Sequence, residues 1–211
     1  MNFVRLKEIL SIHKGRKNLI TDNPSKDSIR VLQIDDLRDD QLLKYTDEKN
    51  GVLVTGDDLM IAWDGANAGT IGYGKAGYVG STIAALKKVD PRKYNTPFLG
   101  YFLKSQFEFF QRNTTGATIP HIDRRSLENL LIPDLSIEDQ IRIATILNKA
   151  ERLIAQRKES IRLLDEFLKS SFLEMFGDPI QNNKKWKTLH LGSTIKIKHG
   201  FAFKSEYFSD N

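Results

Sequence analysis

The first side chains suited to a binding role are the basic residues on either side of Gly15. His13, Lys14, Arg16 and Lys17 surround this glycine. Lysine attracts a phosphate as a compact charge, whereas the arginine fork fits both phosphate oxygens and the edge of a guanine base. A solvated surface turn is an equally acceptable interpretation of the same pattern. The cluster therefore predicts either a nucleic-acid contact or an exposed basic turn.

A second candidate loop, residues 63–67, contains a tryptophan and an asparagine within a glycine-rich stretch. The Asn67 amide matches the edge of an adenine base, although asparagine is as common in ordinary turns. Residues 72–77 formally match the GxGxxG pattern of dinucleotide-binding sites. That site needs a helix to begin at the glycines, but residues 78–86 read as a strand. We therefore predict a hairpin turn there rather than a cofactor site.

The third candidate loop carries small hydroxyl side chains and a glycine, and it is flanked by Arg112, Arg124 and Arg125. These hydroxyl groups either bind phosphate or cap the local backbone, and the flanking arginines add positive charge. The residues that we predict to contact nucleic acid in and around these loops are Lys14, Arg16, Lys17, Trp63, Asn67, Lys75, Arg112, Thr114, Thr115, Gly116, Thr118 and Arg124.

The sequence offers no pattern that predicts catalysis. It has no cysteine, and its four histidines, at positions 13, 121, 190 and 199, are scattered. It lacks a phosphate-binding GxxxxGK[ST] loop and the Asn/Asp-Pro-Pro-Tyr/Phe sequence of amino-methyltransferases. No Glu-x-Lys follows Pro133-Asp134, so a nuclease pattern is also missing. We expect no catalytic residue, no metal site and no cofactor on this chain.

Composition sets broad limits on the environment of the protein. The net charge of +5 comes from 32 basic and 27 acidic residues, so any nucleic-acid binding depends on local placement of cations. The hydrophobic content of 40% suffices for a core. No apolar run approaches the roughly 18 residues of a membrane span, and the N-terminus lacks a signal-peptide pattern. We expect a cytoplasmic protein that does not contact a membrane.

Residues 1–112 read as a mixture of helices and strands that would position these loops. Residues 3–12 suggest a strand or short helix, and residues 29–34 a strand. Residues 51–62 suggest two short strands around a turn, and residues 81–86 another strand. The aromatic residues of 97–112 have the spacing of one helix packed on the sheet.

Residues 137–176 are predicted to form one long helix with a heptad stripe. Ser136 is a favourable N-cap, and Gly177 followed by Pro179 ends the helix. Forty residues span about 60 Å, more than one small domain covers, so a partner helix is favoured over an internal core helix. The stripe consists of Ile143, Leu147, Ala150, Ile154, Arg157, Ile161, Leu164, Leu168, Ser171 and Met175.

The chain also contains a partial internal repeat. At an offset of 185, the apolar positions of residues 4–12 recur in residues 189–197, and Gly15 corresponds to Gly200. A segment as short as 177–211 cannot bury a core of its own. We expect it to pack on a neighbour, to remain partly disordered, or to belong to a longer second domain.

Two patterns in the middle of the chain carry a family resemblance. Residues 115–118 match T-G-x-T, and residues 132–140 match I-P-x-L-x-x-x-x-Q just before the long helix. This order resembles the end of a recognition domain and the start of the spacer helix in the specificity subunit of type I restriction–modification systems.

The resemblance implies an α+β fold and a separate role for each part of the chain. Residues 1–135 would form a mixed α/β target recognition domain that binds double-stranded DNA, residues 136–176 the spacer helix, and residues 177–211 the start of an incomplete second recognition domain. Two chains would pair as an antiparallel homodimer that reads a gapped palindrome. The predicted helix contacts are Ile143, Leu147, Ala150, Ile154, Ile161, Leu164, Leu168 and Met175.

Partners and chemistry also follow from the resemblance. A methyltransferase subunit would methylate adenine with S-adenosylmethionine, and a restriction subunit would join for cleavage. This chain would hold no cofactor. Two alternatives stay open: a coiled-coil interaction scaffold that binds no DNA, and an enzyme in its own right.

Overall fold

A computed structural model describes residues 2–38, 41–116 and 118–200 of the chain. It divides into two compact units, Met1–Leu153 and Ile154–Asn211, so the division falls within the long helix. The domain bounds 1–135, 136–176 and 177–211 stay a prediction. Among the described residues, no helix combines the length and apolar character needed to cross a membrane.

The elements alternate between short strands and helices. The strands are β1 (Phe3–Arg5), β2 (Leu10–Lys14), β3 (Ile29–Leu32), β4 (Lys44–Thr46), β5 (Leu53–Val54), β6 (Leu59–Ala62), β7 (Ile71–Tyr73), β8 (Gly77–Val79), β9 (Ile83–Lys88), β10 (Thr114–Thr115), β11 (His121–Ile122) and β12 (Leu131–Pro133). The helices are α1 (Leu6–Ile9), α2 (Thr96–Ser105), α3 (Phe107–Arg112), α4 (Arg124–Asn129), α5 (Ile137–Phe176) and α6 (Leu191–Thr194), and a short 3-10 helix covers Asp35–Leu37. This mixture confirms the predicted fold class.

The first unit has three layers, with one sheet in the middle. That antiparallel sheet has the strand order β2-β9-β6-β7, and a second sheet has the order β4-β3-β8-β5. Successive side chains of β6 point to different layers. Leu59 and Ile61 pack with the helices, whereas Met60 and Ala62 pack against the second sheet. Because successive side chains point to opposite faces and both faces are buried, the strand is apolar throughout.

The turn at residues 72–77 corrects one sequence prediction. Strand β7 pairs with β6, whereas β8 pairs with β3 and β5, so these residues cross between sheets instead of forming a hairpin. Gly77 has a φ of +151° there, and a β-carbon on it would lie 2.4 Å from the Arg30 carbonyl oxygen. The predicted hairpin was therefore wrong, because local glycine signals do not specify which strands pair.

The aromatic segment 97–112 forms two helices rather than the one that was predicted. Helix α2 begins after Asn95, whose side chain accepts a hydrogen bond from the Phe98 amide at 3.0 Å. The chain departs from helical geometry at Gln106 before α3 begins. Both helices still pack on the central sheet, with Leu103 and Phe110 fully buried.

The junction before the long helix is held by two polar side chains. Ser136 Oγ accepts a hydrogen bond from the Asp139 amide at 3.1 Å, which confirms the predicted N-cap. Gln140 is 0% exposed, yet its amide group is satisfied. It donates to the carbonyl oxygens of Lys93 and Leu135 and accepts from the Asn95 amide. The glutamine of the I-P-x-L-x-x-x-x-Q pattern thus joins the helix to the loop before α2.

The predicted long helix is confirmed as α5, which has 40 residues and spans about 60 Å. Gln140 and Ala144 are its buried residues. Near its start, the Tyr101 hydroxyl lies 2.8 Å from Asn148 Oδ1 and 2.9 Å from Glu151 Oε2. Burial and the hydrogen bond with Glu151 raise the pKa of Tyr101, so the phenol stays protonated and donates to helix α5.

The second unit contains the rest of α5 and an irregular segment. Gly177, with a φ of +77°, ends the helix as predicted. The Trp186 indole nitrogen donates to the Phe176 carbonyl oxygen at 2.7 Å. This hydrogen bond holds the segment 177–186 against the end of the helix. The repeat segment of this unit holds only the four-residue helix α6 within residues 187–200.

Candidate nucleic-acid interface

A carboxylate between a lysine and a histidine marks the meeting point of three loops in the first unit. Asp64 Oδ2 lies 2.6 Å from Lys14 Nζ, and Asp64 Oδ1 lies 2.6 Å from His121 Nδ1. The Lys14 ammonium also lies 5.4 Å from the centre of the Trp63 ring, within the range of a cation–π contact. We call Lys14, Trp63, Asp64 and His121 the Asp64 cluster.

Backbone hydrogen bonds place the members of the Asp64 cluster. Lys14 is opposite Ala84 at the end of β2, and the Trp63 amide donates to the Thr82 carbonyl oxygen at 2.8 Å. Ile122 donates its amide hydrogen to the Trp63 carbonyl oxygen at 2.9 Å. Asp64 and His121 themselves form an isolated antiparallel bridge. Three separate chain segments are thereby fixed side by side.

The loop pattern T-G-x-T has a direct structural role beside His121. Thr115 is opposite His121 in the β10–β11 pair, and Gly116 follows with a φ of +94°. A β-carbon on Gly116 would lie 2.5 Å from the Ile119 carbonyl oxygen and 3.1 Å from His121 Cδ2. Glycine is therefore needed both for the backbone conformation and for the space beside the imidazole ring.

The electrostatics of Asp64 favour its ionised form. Partial burial acts to raise its pKa, but hydrogen bonds and attraction from Lys14 and His121 together hold the pKa below its usual value. The exposed side-chain fractions are 43% for Lys14, 47% for His121 and 19% for Asp64. An anion approaching this surface meets the Lys14 ammonium and the His121 ring before the carboxylate.

The basic loop that follows β2 lies against the second sheet. Gly15 donates to the Ile83 carbonyl oxygen, and Arg16 donates its backbone amide to the Val79 carbonyl oxygen. A β-carbon on Gly15 would lie 2.2 Å from the Gly80 carbonyl oxygen, so the loop requires glycine. The Arg16 guanidinium donates to Asn50 Oδ1 at 3.1 Å, and Lys17 is exposed. Both side chains therefore remain at the surface beyond Lys14.

Two predicted contact residues have partners elsewhere in the first unit. The Arg38 guanidinium donates to Asn67 Oδ1 at 2.5 Å, and Lys75 donates to the Asp36 carbonyl oxygen. Gln111 of α3 holds the loop just after Asn67 by donating to the carbonyl oxygen of Ala68. The structure thus engages Asn67 with an arginine and not with the Asp64 cluster.

Three of the remaining predicted residues, Arg112, Arg124 and Thr114, have local partners. Arg112 pairs with Glu108 at 3.0 Å, and Arg124 pairs with Glu128 at 2.6 Å, each one helical turn away. Thr114 donates to the Gln111 carbonyl oxygen at 3.3 Å. Thr118 is exposed. Exposed ion pairs of this kind contribute little free energy, so both arginines can exchange their carboxylate for a phosphate at small cost.

Asp64 and His121 were not among the DNA contacts predicted from the sequence. His121 was interpreted as one of four scattered surface histidines, and Asp64 as a loop residue. They are 57 residues apart in sequence, and Lys14 is 50 residues from Asp64. No spacing pattern predicts such contacts, because they arise from strand pairing. Within the described residues, no group of three or more histidine, cysteine or acidic side chains is arranged to hold a metal ion.

The predicted partner face of the long helix is accessible along its length. The exposed residues of that face are Ile143, Leu147, Ala150, Ile154, Ile161, Leu164, Leu168 and Met175. On the same helix, Arg162 pairs with Glu159 and Glu166. An apolar stripe beside charged pairs is the pattern of a helix that packs against another helix.

Comparison with known proteins decides the family. The family described as Type I restriction modification DNA specificity domain matches residues 1–163. The chain belongs to this family. The match covers the whole first unit, including the Asp64 cluster, and the first part of the long helix. The predicted membership in the type I specificity family is confirmed.

Curated members of the specificity family resemble this chain over different lengths. The type I restriction enzyme MjaVIII specificity subunit from Methanocaldococcus jannaschii is 28% identical over 222 residues, covering 99% of this chain and 52% of that protein. The EcoBI specificity subunit from Escherichia coli is 26% identical over 136 residues, covering 64% of this chain and 28% of that protein. The chain thus spans about half the length of the first of these relatives.

Solved structures of specificity subunits share the fold. The HsdS subunit from Thermoanaerobacter tengcongensis superposes with a TM-score of 0.57 at 20% identity, covering 75% of this chain and 39% of that one. The type I S subunit from M. genitalium superposes with a TM-score of 0.53, also at 20% identity, covering 83% of this chain and 48% of that one.

Proposed function

We propose that this chain recognises a DNA sequence within a type I restriction–modification complex. The main support is the family match over residues 1–163. The first unit of the chain exposes Lys14 and His121 of the Asp64 cluster. Lys14 and His121 would meet the phosphate backbone, and neighbouring loop residues would meet base edges. Arg16 is suited to a guanine edge by its planar fork.

We propose that the long helix binds both a second copy of the chain and the partner subunits. Its exposed apolar stripe would pair with the same stripe of a second copy, antiparallel, to give a two-fold symmetric homodimer. Such a dimer reads a bipartite palindrome whose two half-sites are separated by a gap, since protein symmetry is matched by target symmetry. The same helices would dock the methyltransferase and restriction subunits.

The partner subunits would carry out the methylation and cleavage reactions. The methyltransferase subunit would bind S-adenosylmethionine and flip the target adenine out of the stack, while this chain sets the register on DNA. We propose that this chain itself is not an enzyme, holds no cofactor or metal, and acts in the cytoplasm. The purified chain, incubated with DNA and S-adenosylmethionine but no partner, is then expected to transfer no methyl group.

Charge reversal tests whether the first unit binds DNA. The triple variant Lys14→Glu, Arg16→Glu and Lys17→Glu should weaken binding to duplex DNA. The log–log slope of affinity against salt should flatten by about one unit for each phosphate that the variant no longer neutralises. The matched control reverses three exposed lysines of the second unit, Lys184, Lys185 and Lys187. Both triple variants change the net charge equally.

The outcome separates this proposal from the scaffold alternative. DNA recognition predicts a loss of affinity for the first triple variant and a much smaller change for the control. Equal losses in both variants would mean that bulk charge alone binds DNA. If the parent chain binds no DNA but still binds the partner subunit through the helix, the chain is a coiled-coil scaffold and the DNA-recognition proposal is wrong.

A further inference from the structure

The His121 ring is held at one nitrogen and open at the other. Nδ1 lies 2.6 Å from Asp64 Oδ1, and no described residue forms a hydrogen bond with Nε2. A carboxylate only accepts hydrogen bonds, so Nδ1 must carry a hydrogen. The neutral ring then presents a lone pair at Nε2, whereas the protonated ring presents an N–H donor there.

We propose that His121 is a proton-coupled phosphate contact and that Asp64 is the residue that positions it. A DNA phosphate only accepts hydrogen bonds, so it binds Nε2 of the protonated ring and not of the neutral one. At a pH where the ring of the free protein is neutral, binding of DNA at this point therefore takes up one proton from solution. This inference rests on the proposed DNA-recognition function and adds a contact that was not predicted from the sequence.

The surroundings of the ring suit a phosphate. Asp64 is largely covered, while Lys14 and the His121 ring are about half exposed on either side of it. Lys14 therefore supplies accessible positive charge, and a protonated His121 ring adds to it. Asp64 contacts the ring from the β6–β7 loop, and Lys14 at the end of β2 contacts the other oxygen of that carboxylate. The β10 strand and its loop contribute Thr115 and Gly116, which are uncharged.

Asp64 has a positioning role because its two oxygens have separate partners. One oxygen orients the His121 ring and the other holds the Lys14 ammonium, so a single carboxylate fixes the spacing of both donors. Carboxylate pairing also stabilises the imidazolium that forms when DNA binds. A purely structural link between loops needs neither the open Nε2 nor a change of protonation.

The test measures DNA affinity against pH with the full chain at constant salt. A pool of random-sequence duplexes is the probe, because a phosphate contact does not depend on base sequence. Between about pH 5.5 and pH 8, uptake of one proton should weaken binding by up to about tenfold per pH unit as pH rises. His121→Gln should still bind DNA but lose this pH dependence.

Two further variants complete the experiment. Asp64→Asn removes the charge that supports the protonated ring, so its pH-dependent step should move to lower pH. His190→Gln changes an exposed histidine of the second unit and should keep the parent profile. If His121→Gln binds DNA with the parent pH dependence, the inference is overturned while the proposed function stands. If the parent binds no DNA at any pH, both fail.

A second measurement covers the case in which His121→Gln does not fold. Nuclear magnetic resonance of the parent chain follows the four imidazole rings through a pH titration with and without duplex DNA. The titration midpoint of the His121 ring should move to higher pH when DNA is added, while that of His190 stays in place. An unchanged midpoint for His121 in DNA-bound protein would contradict the proposal.

Discussion

The two copies of the internal repeat show the same local backbone in opposite environments. Helix α1, Leu6–Ile9, and helix α6, Leu191–Thr194, occupy equivalent positions at the offset of 185. Both follow an extended residue and end in an extended residue whose amide bonds the first helical carbonyl. Leu6 is nevertheless 0% exposed, whereas its counterpart Leu191 is 68% exposed.

Pairing with later segments of the chain accounts for the difference. In the first copy, β1 pairs with β12 and β2 pairs with β9. In the second copy, residues 187–200 hold no strand and their large apolar side chains are exposed. A short helical turn therefore forms from local sequence, but strands and burial require partners from elsewhere.

The largest expected effect comes from truncating equivalent leucines. Leu6→Ala removes a fully buried side chain and should reduce the free energy of unfolding by about 3 kcal/mol, since it leaves a cavity. Leu191→Ala should change it by less than about 0.5 kcal/mol, because the side chain is solvated. Denaturant unfolding of the full chain measures both. A similar loss for Leu191→Ala would remove the contrast between the copies, since it would reveal a partner for the second copy.

Two glutamines extend the comparison to the long helix. Gln140→Ala should destabilise the chain by about 2 kcal/mol, because three backbone groups lose their partner in a buried site. Gln156→Ala on the exposed part of the same helix should be close to neutral or slightly stabilising, since alanine favours helix. Thermal unfolding distinguishes the two. Equal stability of both variants would mean that Gln140 does not join the helix to the first unit.

The smallest expected effect concerns lysines in the two copies. Lys14 pairs with Asp64, whereas Lys198, beside the position equivalent to Lys14, is exposed. Because the pKa of Asp64 lies below its ordinary value of 3.8, the pair contributes stability at neutral pH, and this contribution is lost as pH falls through 3.8 toward the folded-state value.

Lys14→Met should therefore cost about 0.5 kcal/mol near pH 7. Its difference from the parent chain should shrink once Asp64 is protonated in both proteins. Lys198→Met should show no such pH-dependent difference. Urea unfolding at several pH values provides the measurement, and a Lys14→Met deficit that grows toward acid would contradict the expected direction.

Local signals account for what the sequence predicted well. The heptad stripe, Ser136 as N-cap and Gly177 as helix end are short-range features, and α5 has the predicted bounds. The two short strands of 51–62 were predicted from glycine and apolar patterning, and the structure has β5 and β6 there, although each joins a different sheet. Each of these depends on neighbours within a few residues along the chain.

Contacts between distant segments account for the features that were not predicted from the sequence. The crossing at residues 72–77 depends on which sheet each flanking strand joins. No glycine or proline marks Gln106, where the helical geometry is interrupted between α2 and α3. The contact of Asp64 with His121 arises from a bridge between distant segments. Several predicted DNA contacts, such as Arg112 and Arg124, were chosen by residue type alone, and their role stays a prediction.

DNA specificity is tested most directly by modified-base sequencing of DNA from cells that express this chain with its cognate methyltransferase subunit. We expect a gapped, palindromic motif methylated at adenine, with two identical half-sites read by two copies of the first unit. No new methylated motif, with both proteins soluble and associated, would contradict a role for this chain in DNA specificity.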